Sequence, residues 1–397
     1  MPPTRAALLA DPVAIFAYLA ALLALVFWLS GLPALRRLFE ITPPVIYAYF
    51  LPTLSTAFGV TPLQSPAYGW MTRYLLPIAL LLLMITVDLR AIARLGRMAL
   101  VMMVAGTVGI VIGGPIALLV FGHWLPPDAW KGFAALSGSW IGGTANFVAM
   151  AQSVGASPEI LAPSIVVDTV VGYGWMGLLL FFSGQQARFD RWNRADTSVL
   201  EETNRRMAAV AEHRRPVDTR DLLVMIGIAF AGATLALVAG RALPAVGDPT
   251  IISATTWAVL IVVTVGLALS FTPLRRLEEA GASKLGYAAL YLLLTAIGAQ
   301  ADLHAVLQTP VFLAAGVLWL SIHTTVMLLV ARLLRAPLFF VATGSMANIG
   351  GVASAPVVAG VYHPALAPVG LLLAVAGYIL GIYGALGCAW LLARVAG

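Results

Sequence analysis

The sequence predicts an all-α polytopic membrane protein made of two inverted repeats, each with about five transmembrane helices and a Gly-rich broken helix or re-entrant hairpin. Three observations predict this fold class. The 397 residues are 61% hydrophobic and only 10% charged, whereas soluble domains carry about 25% charged residues. Apolar runs near the ~20 helical residues needed to cross a bilayer recur along the chain. Similar segments also recur, in the same order, in the two halves.

Six apolar elements precede the longest polar stretch of the chain, and six follow it. Breaks at Pro, Gly and charged residues place the first six at roughly 13–31, 44–60, 72–89, 97–122, 131–154 and 158–183. The second six lie at roughly 222–243, 250–271, 285–301, 309–332, 338–361 and 364–394. The predicted organisation is an N-terminal membrane repeat over 1–184, a cytoplasmic linker of helical character over 185–221, and a C-terminal membrane repeat over 222–397.

Three pairs of segments indicate an internal duplication. VDLRAIAR (87–94) matches ADLHAVLQ (301–308), and ILAPSIVV (160–167) matches ALAPVGLL (365–372). Between them, SGSWIGGTAN (137–146) matches TGSMANIGGVAS (343–354). One weak match is easily accidental, but three in the same order are typical of a repeated unit.

The positions of Lys and Arg indicate that the repeats face opposite ways. In the first half the basic loops follow the first and third elements, and in the second half they follow the eighth and tenth. Inversion needs an odd number of crossings per half. We therefore expect the fifth and eleventh elements to re-enter, leaving ten crossings with both termini outside. A twelve-crossing arrangement with both termini inside fits the total distribution of basic residues equally well, so the sequence leaves crossing or re-entry open.

Several classes of function lack their chemistry in this sequence. The lone Cys388 excludes an internal disulfide and a multi-cysteine metal site. No HExxH, GxSxG, Walker or CxxC motif is present, so no enzyme and no resident cofactor are expected. The net charge of +6 comes from basic residues between apolar runs, which orient the chain in a bilayer and do not indicate nucleic acid.

The two Gly-rich stretches predict a binding site. Glycines let helices break, and a broken helix offers free amides and carbonyls to a ligand. Close packing of small residues is the alternative explanation, but two equivalent copies, each with an amide side chain, favour a site. The predicted substrate-binding residues are Ser139, Gly142, Gly143, Thr144, Asn146, Ser345, Asn348, Gly350, Gly351 and Ser354.

Asp168 lies near the centre of an apolar element. A carboxylate there costs several kcal/mol unless it is paired, hydrated or protonated, so it marks a functional position. We expect Asp168, with Thr169, Asn146 and Ser137, to couple transport to an ion or proton, with a Na⁺ site at Asp168 and Asn146. The alternative is a structural carboxyl bonded to a neighbouring helix.

Five other polar residues are weaker candidates for a functional role. His323 is expected to bridge helices by hydrogen bonds more readily than to carry protons. Asp88 and Asp302 close matching elements and are expected to act as caps or gate contacts. Glu159 follows a proline at a helix start, where the helix dipole alone favours an acid. Gln152 lies where the first hairpin ends.

Two stretches carry a resemblance to a known family. YLLPIALLLLMITVDLRAIARLG (74–96) and IGGTANFVAMAQSVGASPEILAPSIVVDTVVGYGWMGLLLFF (141–182) resemble the bacterial integral-membrane family called domain of unknown function 819. That family is distantly similar to the sodium/glutamate and 2-hydroxycarboxylate symporters of the cation/proton antiporter–anion transporter superfamily. The resemblance implies that hairpin tips hold solute and Na⁺, at Gly142, Gly143, Thr144, Asn146, Gly350 and Gly351. It also implies an elevator-like motion and a homodimer.

The expected function is secondary active transport of a small organic solute, such as an organic anion or amino acid, coupled to Na⁺ or H⁺ by alternating access. The fourth to sixth and tenth to twelfth elements are expected to form a core that moves against a scaffold made from the others. The main alternative is a cation/proton antiporter using Asp168, followed by a channel and by a membrane enzyme or sensor. The expected location is the bacterial plasma (inner) membrane, with lipid and the solute as partners.

Overall fold

A computed structural model describes residues 7–41, 44–207, 215–246, 252–300, 309–363 and 366–396. These residues are mainly helical, and their β-structure is limited to an isolated bridge between Val246 and Ile252. The helices are α1 (Pro12–Ser30), α2 (Arg36–Ile41), α3 (Pro44–Ala57), α4 (Pro66–Ile85), α5 (Leu89–Ala93), α6 (Arg97–Phe121), α7 (Ala129–Gly142), α8 (Thr144–Ser153), α9 (Pro158–Ser183), α10 (Gln186–Asn193), α11 (Ser198–Met207), α12 (Thr219–Arg241), α13 (Ala254–Leu269), α14 (Ala282–Ala299), α15 (Thr309–Leu334), α16 (Leu338–Ile349), α17 (Gly351–Tyr362) and α18 (Ala367–Ala396).

Eight helices in the described residues are long and apolar enough to cross a membrane, which confirms the polytopic all-α class. They are α1, α4, α6, α9, α12, α14, α15 and α18. The second and eighth predicted elements correspond to α3 and α13, which have 14 and 16 residues, fewer than the ~20 that a bilayer requires. The expected ten crossings and the inverted relation of the repeats therefore stay predictions.

Local sequence signals fix where several spans begin. Asp11 and Ser65 each accept a hydrogen bond from an N–H in the first turn, and a proline follows each of them directly. Proline costs little there because its missing N–H would have no partner within the helix. The span α9 also starts with a proline, Pro158, and Glu159 lies in its first turn, where the helix dipole favours a carboxylate.

The helices pack into two bundles. The scaffold bundle comprises α1, α3, α4, α12, α13 and α14, and α4 is at its centre, with every residue from Leu75 to Ile85 buried. The core bundle comprises α6 to α9 and α15 to α18, the elements predicted to form the core. Contacts between the bundles are sparse, and the main ones join α8 to α4 and α13, α5 to α18, and α9 to α14. The two groups are therefore separate packing units.

The first Gly-rich element is a hairpin. Helix α7 ends at Gly142, and the φ of 77° at the next residue, Gly143, breaks the helix. A side chain added at Gly138 in α7 would meet the backbone carbonyl of Asn146 and, at 3.0 Å, the side chain of Met150 in α8. Residues twelve positions apart lie about 18 Å apart in one continuous helix, so α8 folds back along α7.

The second Gly-rich element also returns to the side from which it starts. At the start of α16, the Leu338 N–H donates to Asp190 of α10 (2.8 Å). At the end of α17, the Tyr362 hydroxyl donates to the carbonyl of Leu179, near the end of α9 (2.7 Å). Both ends of this hairpin therefore lie beside the junction of α9 and α10. The linker contains the helices α10 and α11, but the predicted domain limits themselves stay predictions.

An ion pair joins the loops that follow α4 and α13. Asp88 caps α5, since its carboxylate accepts a hydrogen bond from the Ala91 N–H (2.9 Å), and it also pairs with Arg275. Partial burial favours a higher pKa for Asp88, but the Ala91 N–H and the Arg275 guanidinium together hold that pKa below its usual value. The pair places both loops on one side of the molecule. Asp302, the matching residue, lies outside the described residues.

Candidate functional site

A cavity of about 70 Å³ lies inside the core bundle, where the two hairpins approach α9. Its wall combines the Gly143 break of the first hairpin, the Gly350 break of the second and one face of α9. The lining residues are Ser139, Gly143, Thr144, Asp168, Thr169, Gly172, Tyr173, Met346, Ile349, Gly350 and Ser354.

The two breaks meet at this cavity. A Cβ added to Gly351, which has a φ of 63°, would lie 3.9 Å from the Cα of Gly143. In the described residues the N–H groups of Thr144 and Ala145 at the start of α8 make no hydrogen bond, and no side chain caps that helix. Backbone donors at this depth require protein, water or a ligand as a partner. The start of α8 therefore offers two donors to whatever occupies the cavity.

Asp168 is the only charged residue among the described residues that line the cavity. The Ser139 hydroxyl donates to its Oδ2 at 2.9 Å. The indole N–H of the fully buried Trp140 faces the same carboxylate, in a geometry outside that of a regular hydrogen bond. Asp168 itself keeps some accessible surface, which faces the cavity. The carboxylate therefore has room for a bound cation or proton and one donor already in place.

Tyrosines that the sequence did not single out surround this region. Tyr173 lines the cavity, and its hydroxyl lies beside Ser354 and within electrostatic range of Asp168. The ring of Tyr378 lies 3.6 Å from where a Cβ of Gly143 would be. Its hydroxyl bonds that of Tyr287 on α14, in the scaffold bundle. Tyrosine is enriched where membrane helices meet the membrane surface, so its presence near helix ends is no signal of a site, and the sequence did not distinguish these residues.

The structure brings seven of the predicted site residues together at the cavity and leaves six outside its wall. Those at the wall are Ser139, Gly143, Thr144, Asp168, Thr169, Gly350 and Ser354. Those outside it are Ser137, Gly142, Asn146, Ser345, Asn348 and Gly351. Asn146 and Asp168 therefore do not share this cavity, and the predicted roles of all thirteen residues stay predictions.

Comparison with known families gives a match that covers both the core bundle and the scaffold bundle. The family described as "Protein of unknown function (DUF819)" matches residues 17–395. The chain belongs to this family. A relative in Bacillus subtilis (strain 168), "Uncharacterized membrane protein YjcL", is 26% identical over 341 residues, covering 83% of this chain and 84% of the relative. The similarity therefore extends over both bundles and the linker, as the sequence resemblance indicated.

The two hairpin asparagines of this DUF819 protein hold the hairpins in place. The Asn146 amide donates to the backbone carbonyls of Gly142 (3.3 Å) and of Tyr378 in α18 (3.1 Å). The Asn348 amide bonds α6. Its nitrogen donates to the Met103 carbonyl, and its oxygen accepts hydrogen bonds from the N–H and the hydroxyl of Thr107. Each hairpin is thus bonded to a core helix from the other half of the chain.

A hydrogen-bond chain connects four helices beside the cavity. The Trp175 indole of α9 donates to the Ser345 hydroxyl of α16 (2.8 Å), and that hydroxyl bonds Nε2 of His323 in α15 (2.8 Å). His323 Nδ1 bonds the Gly106 carbonyl of α6 (2.9 Å). A carbonyl only accepts, so Nδ1 carries the proton and a neutral imidazole satisfies every member. This geometry is the helix bridge expected for His323.

The remaining predicted polar residues also have structural contacts. The Ser137 hydroxyl donates to the Ala134 carbonyl of its own helix (2.7 Å) and lies beside Cys388 of α18. The Gln152 amide donates to the Thr72 carbonyl at 3.0 Å and so joins α8 to the scaffold bundle. Both side chains point to protein surfaces other than the cavity wall.

Replacing Trp175 by Phe is expected to cost about 1 kcal/mol, because it removes the indole donor and leaves Ser345 with one bond fewer. A double-mutant cycle of Trp175→Phe with Ser345→Ala should show a coupling of about 1 kcal/mol in the free energy of unfolding. Trp192→Phe is the matched control, since Trp192 is exposed and stacks on Arg332. Equal coupling for both tryptophans would contradict the bridge.

Proposed function

We propose that this protein is a secondary active transporter that moves a small organic solute, coupled to Na⁺ or H⁺, by alternating access. The observation that carries the proposal is that two hairpins, one from each half and each with a break between its helices, meet at a cavity whose described wall has Asp168 as its only charged residue. Helices broken inside a membrane are tolerated where they line a cavity. In transporters such breaks hold substrate and coupling ion near the midplane.

Different residues of the cavity bind the coupling cation and the solute. An ionised Asp168 in this low-dielectric interior is costly without a partner, so Na⁺ or a proton binds there first or together with the solute. Ser139 keeps one carboxylate oxygen oriented, and the hydroxyls of Thr169 and Tyr173 are within the same wall. The free N–H groups at the start of α8 donate hydrogen bonds to an anionic or carbonyl oxygen of the solute.

Motion of the core bundle against the scaffold bundle moves the cavity between the two sides of the membrane. The sparse contacts between the two bundles support such a relative motion. The bond between Tyr287 and Tyr378 is one contact that has to rearrange. A homodimer formed through the scaffold bundle, in a bacterial plasma membrane, completes the proposal.

The test is flux in sealed vesicles. Purified protein in liposomes should accumulate a labelled small organic solute when an inward Na⁺ or H⁺ gradient is imposed. The accumulation should stop when an ionophore collapses that gradient. Absence of gradient-dependent uptake across a panel of organic acids and amino acids would overturn the proposal.

The second candidate is a cation/proton antiporter that uses Asp168. It is favoured by the absence of Lys, Arg and His from the described cavity wall, where a carboxylate alone suits a cation. An antiporter should dissipate a preformed pH gradient when Na⁺ or K⁺ is added, with no organic solute present. The symporter should not do so.

A further inference from the structure

We infer that a groove beside the second hairpin binds one anionic phospholipid, with an acyl chain in the groove and the phosphate on Arg188. The groove has a volume of about 580 Å³ and lies between α9 and α10 on one side and α15 and α16 on the other. It shares no lining residue with the cavity at Asp168. The inference is therefore independent of the solute and of the coupling ion.

The groove is a gap in the packing of the core bundle. Helix α9 packs closely on α15 but meets α16 at few points, and the space left between them is within the ~300–1,000 Å³ typical of ligand sites. The buried side chains of Leu179, Leu338 and Val341 close the bottom of this space. Apolar side chains on any span face lipid, so it is the gap, and not their exposure, that points to a bound chain.

The length of the groove fits an acyl chain of one leaflet. Its deepest described residue on α9, Trp175, lies eight residues before Ser183, where that span ends. Eight helical residues rise about 12 Å, and one leaflet contributes about half of the ~30 Å hydrocarbon thickness. At the other end lies Trp192 of α10, whose side chain is 61% exposed, and tryptophan favours the level of the lipid headgroups. A lipid bound here therefore has its headgroup beside α10.

The charge at the headgroup end selects an anionic lipid. Arg188 is the only charged residue among the described residues that line the groove, and within those residues it forms no ion pair. The two acids of this segment, Asp190 and Asp196, already accept hydrogen bonds from protein donors. The Arg332 guanidinium lies over the ring of Trp192, at the same end. A guanidinium matches phosphate oxygens, and basic pockets between spans on the cytoplasmic side, where the linker is predicted to lie, suit anionic headgroups.

A lipid in the groove would restrain the second hairpin. Leu338 and Val341, at the bottom of the groove, belong to α16, the first helix of that hairpin. Trp175, in the opposite wall, donates to Ser345 of the same helix. An acyl chain that fills the space between α9 and α16 therefore supports the hairpin where direct contacts are few.

The test is the thermal stability of the full-length protein, purified in detergent and stripped of lipid. Dioleoyl phosphatidylglycerol should raise the melting temperature in a saturable way, and it should slow amide hydrogen exchange in α16. Dioleoyl phosphatidylcholine has the same chains but no net charge, so it should need at least a tenfold higher concentration. Glycerol 3-phosphate, which has the anion without chains, and dioleoylglycerol, which has the chains without phosphate, should have no effect.

Two matched pairs of variants tie the binding to the groove. Arg188→Gln should weaken phosphatidylglycerol binding at least fivefold, whereas Arg220→Gln, an equal loss of charge at an exposed position at the start of α12, should not. Leu328→Trp should fill the groove and weaken binding at least tenfold, whereas Leu329→Trp alters an exposed neighbour that does not line it. If Leu328→Trp fails to fold, the arginine pair decides.

Three results would overturn the inference. Equal effects within either pair of variants would place the lipid elsewhere on the protein. Equal binding of phosphatidylglycerol and phosphatidylcholine would show a groove that takes acyl chains without regard to charge. Full stabilisation by glycerol 3-phosphate would show a site for a free anion.

Discussion

Replacing Asp168 by Asn is expected to abolish the stabilisation that the coupling ion gives to the protein. A ligand present at 100 times its dissociation constant adds about 2.7 kcal/mol to the free energy of unfolding. In the wild-type protein this should appear as a higher melting temperature in NaCl than in choline chloride, if Na⁺ is the ion. Asn keeps the size and a partner for Ser139 but removes the charge, so the difference between the two salts should vanish.

The matched control is Asp128→Asn. Asp128 is exposed and pairs with Lys131 at 3.1 Å, a surface contact worth at most about 1 kcal/mol, so its loss should leave the salt difference intact. If H⁺ is the coupling ion, NaCl and choline chloride should give equal stability, and the pH dependence of wild-type stability should be lost in Asp168→Asn. A mutant that behaves like wild type in both salt and pH would show that Asp168 is structural.

Replacing Gly142 by Ala is expected to cause the largest loss of stability among single changes in the hairpins. A Cβ at Gly142 would collide with the backbone carbonyl of Gly377 in α18 and with the Asn146 amide. The carbonyl belongs to a helix and is not free to turn aside, so hairpin and α18 must separate. Overpacking of this kind costs about 3 kcal/mol, measured as a lower free energy of unfolding in detergent.

Gly174→Ala is the control for that experiment. Gly174 is also helical, but a Cβ there would meet nothing within 4 Å. Because Ala favours a helix by up to about 1 kcal/mol over Gly, this variant should be as stable as wild type or slightly more stable. A Gly142→Ala protein with wild-type stability would show that α7 and α18 do not approach as closely as described.

The fold class was largely predictable because membrane-spanning helices are recognisable as long apolar stretches of sequence. The apolar runs located the spans, and the GG pairs located both helix breaks, at Gly143 and at Gly350 to Gly351. The lengths of α3 and α13 were overestimated, because the apolar runs at roughly 44–60 and 250–271 extend past the ends of both helices. Asp168 drew attention because few physical reasons other than function place a carboxylate mid-span; it lines the cavity, and its role in coupling stays a prediction.

The asparagines show why the rest of the site was not predictable. Asn146 and Asn348 lie in matching motifs of the two halves, which is why the sequence predicted that both bind the solute. Their amides instead bond the backbones of α18 and α6. Sequence patterns give a side chain its depth in the membrane but not the helix it faces. The cavity role of Tyr173 depends on that same information, which arises only when α9 packs beside α17.

The bonds between hairpins and distant helices also constrain how the protein is made. The first hairpin packs chiefly on α18, which begins roughly two hundred residues later in the chain. At a synthesis rate of about 5–20 residues per second, the hairpin waits on the order of 10–40 s for that partner. During this interval the hairpin can contact α6 and α9 but lacks α18, including the Tyr378 carbonyl that accepts a hydrogen bond from the Asn146 amide. Ribosome stalling before α18 would leave a membrane-inserted fragment that quality-control proteases can recognise.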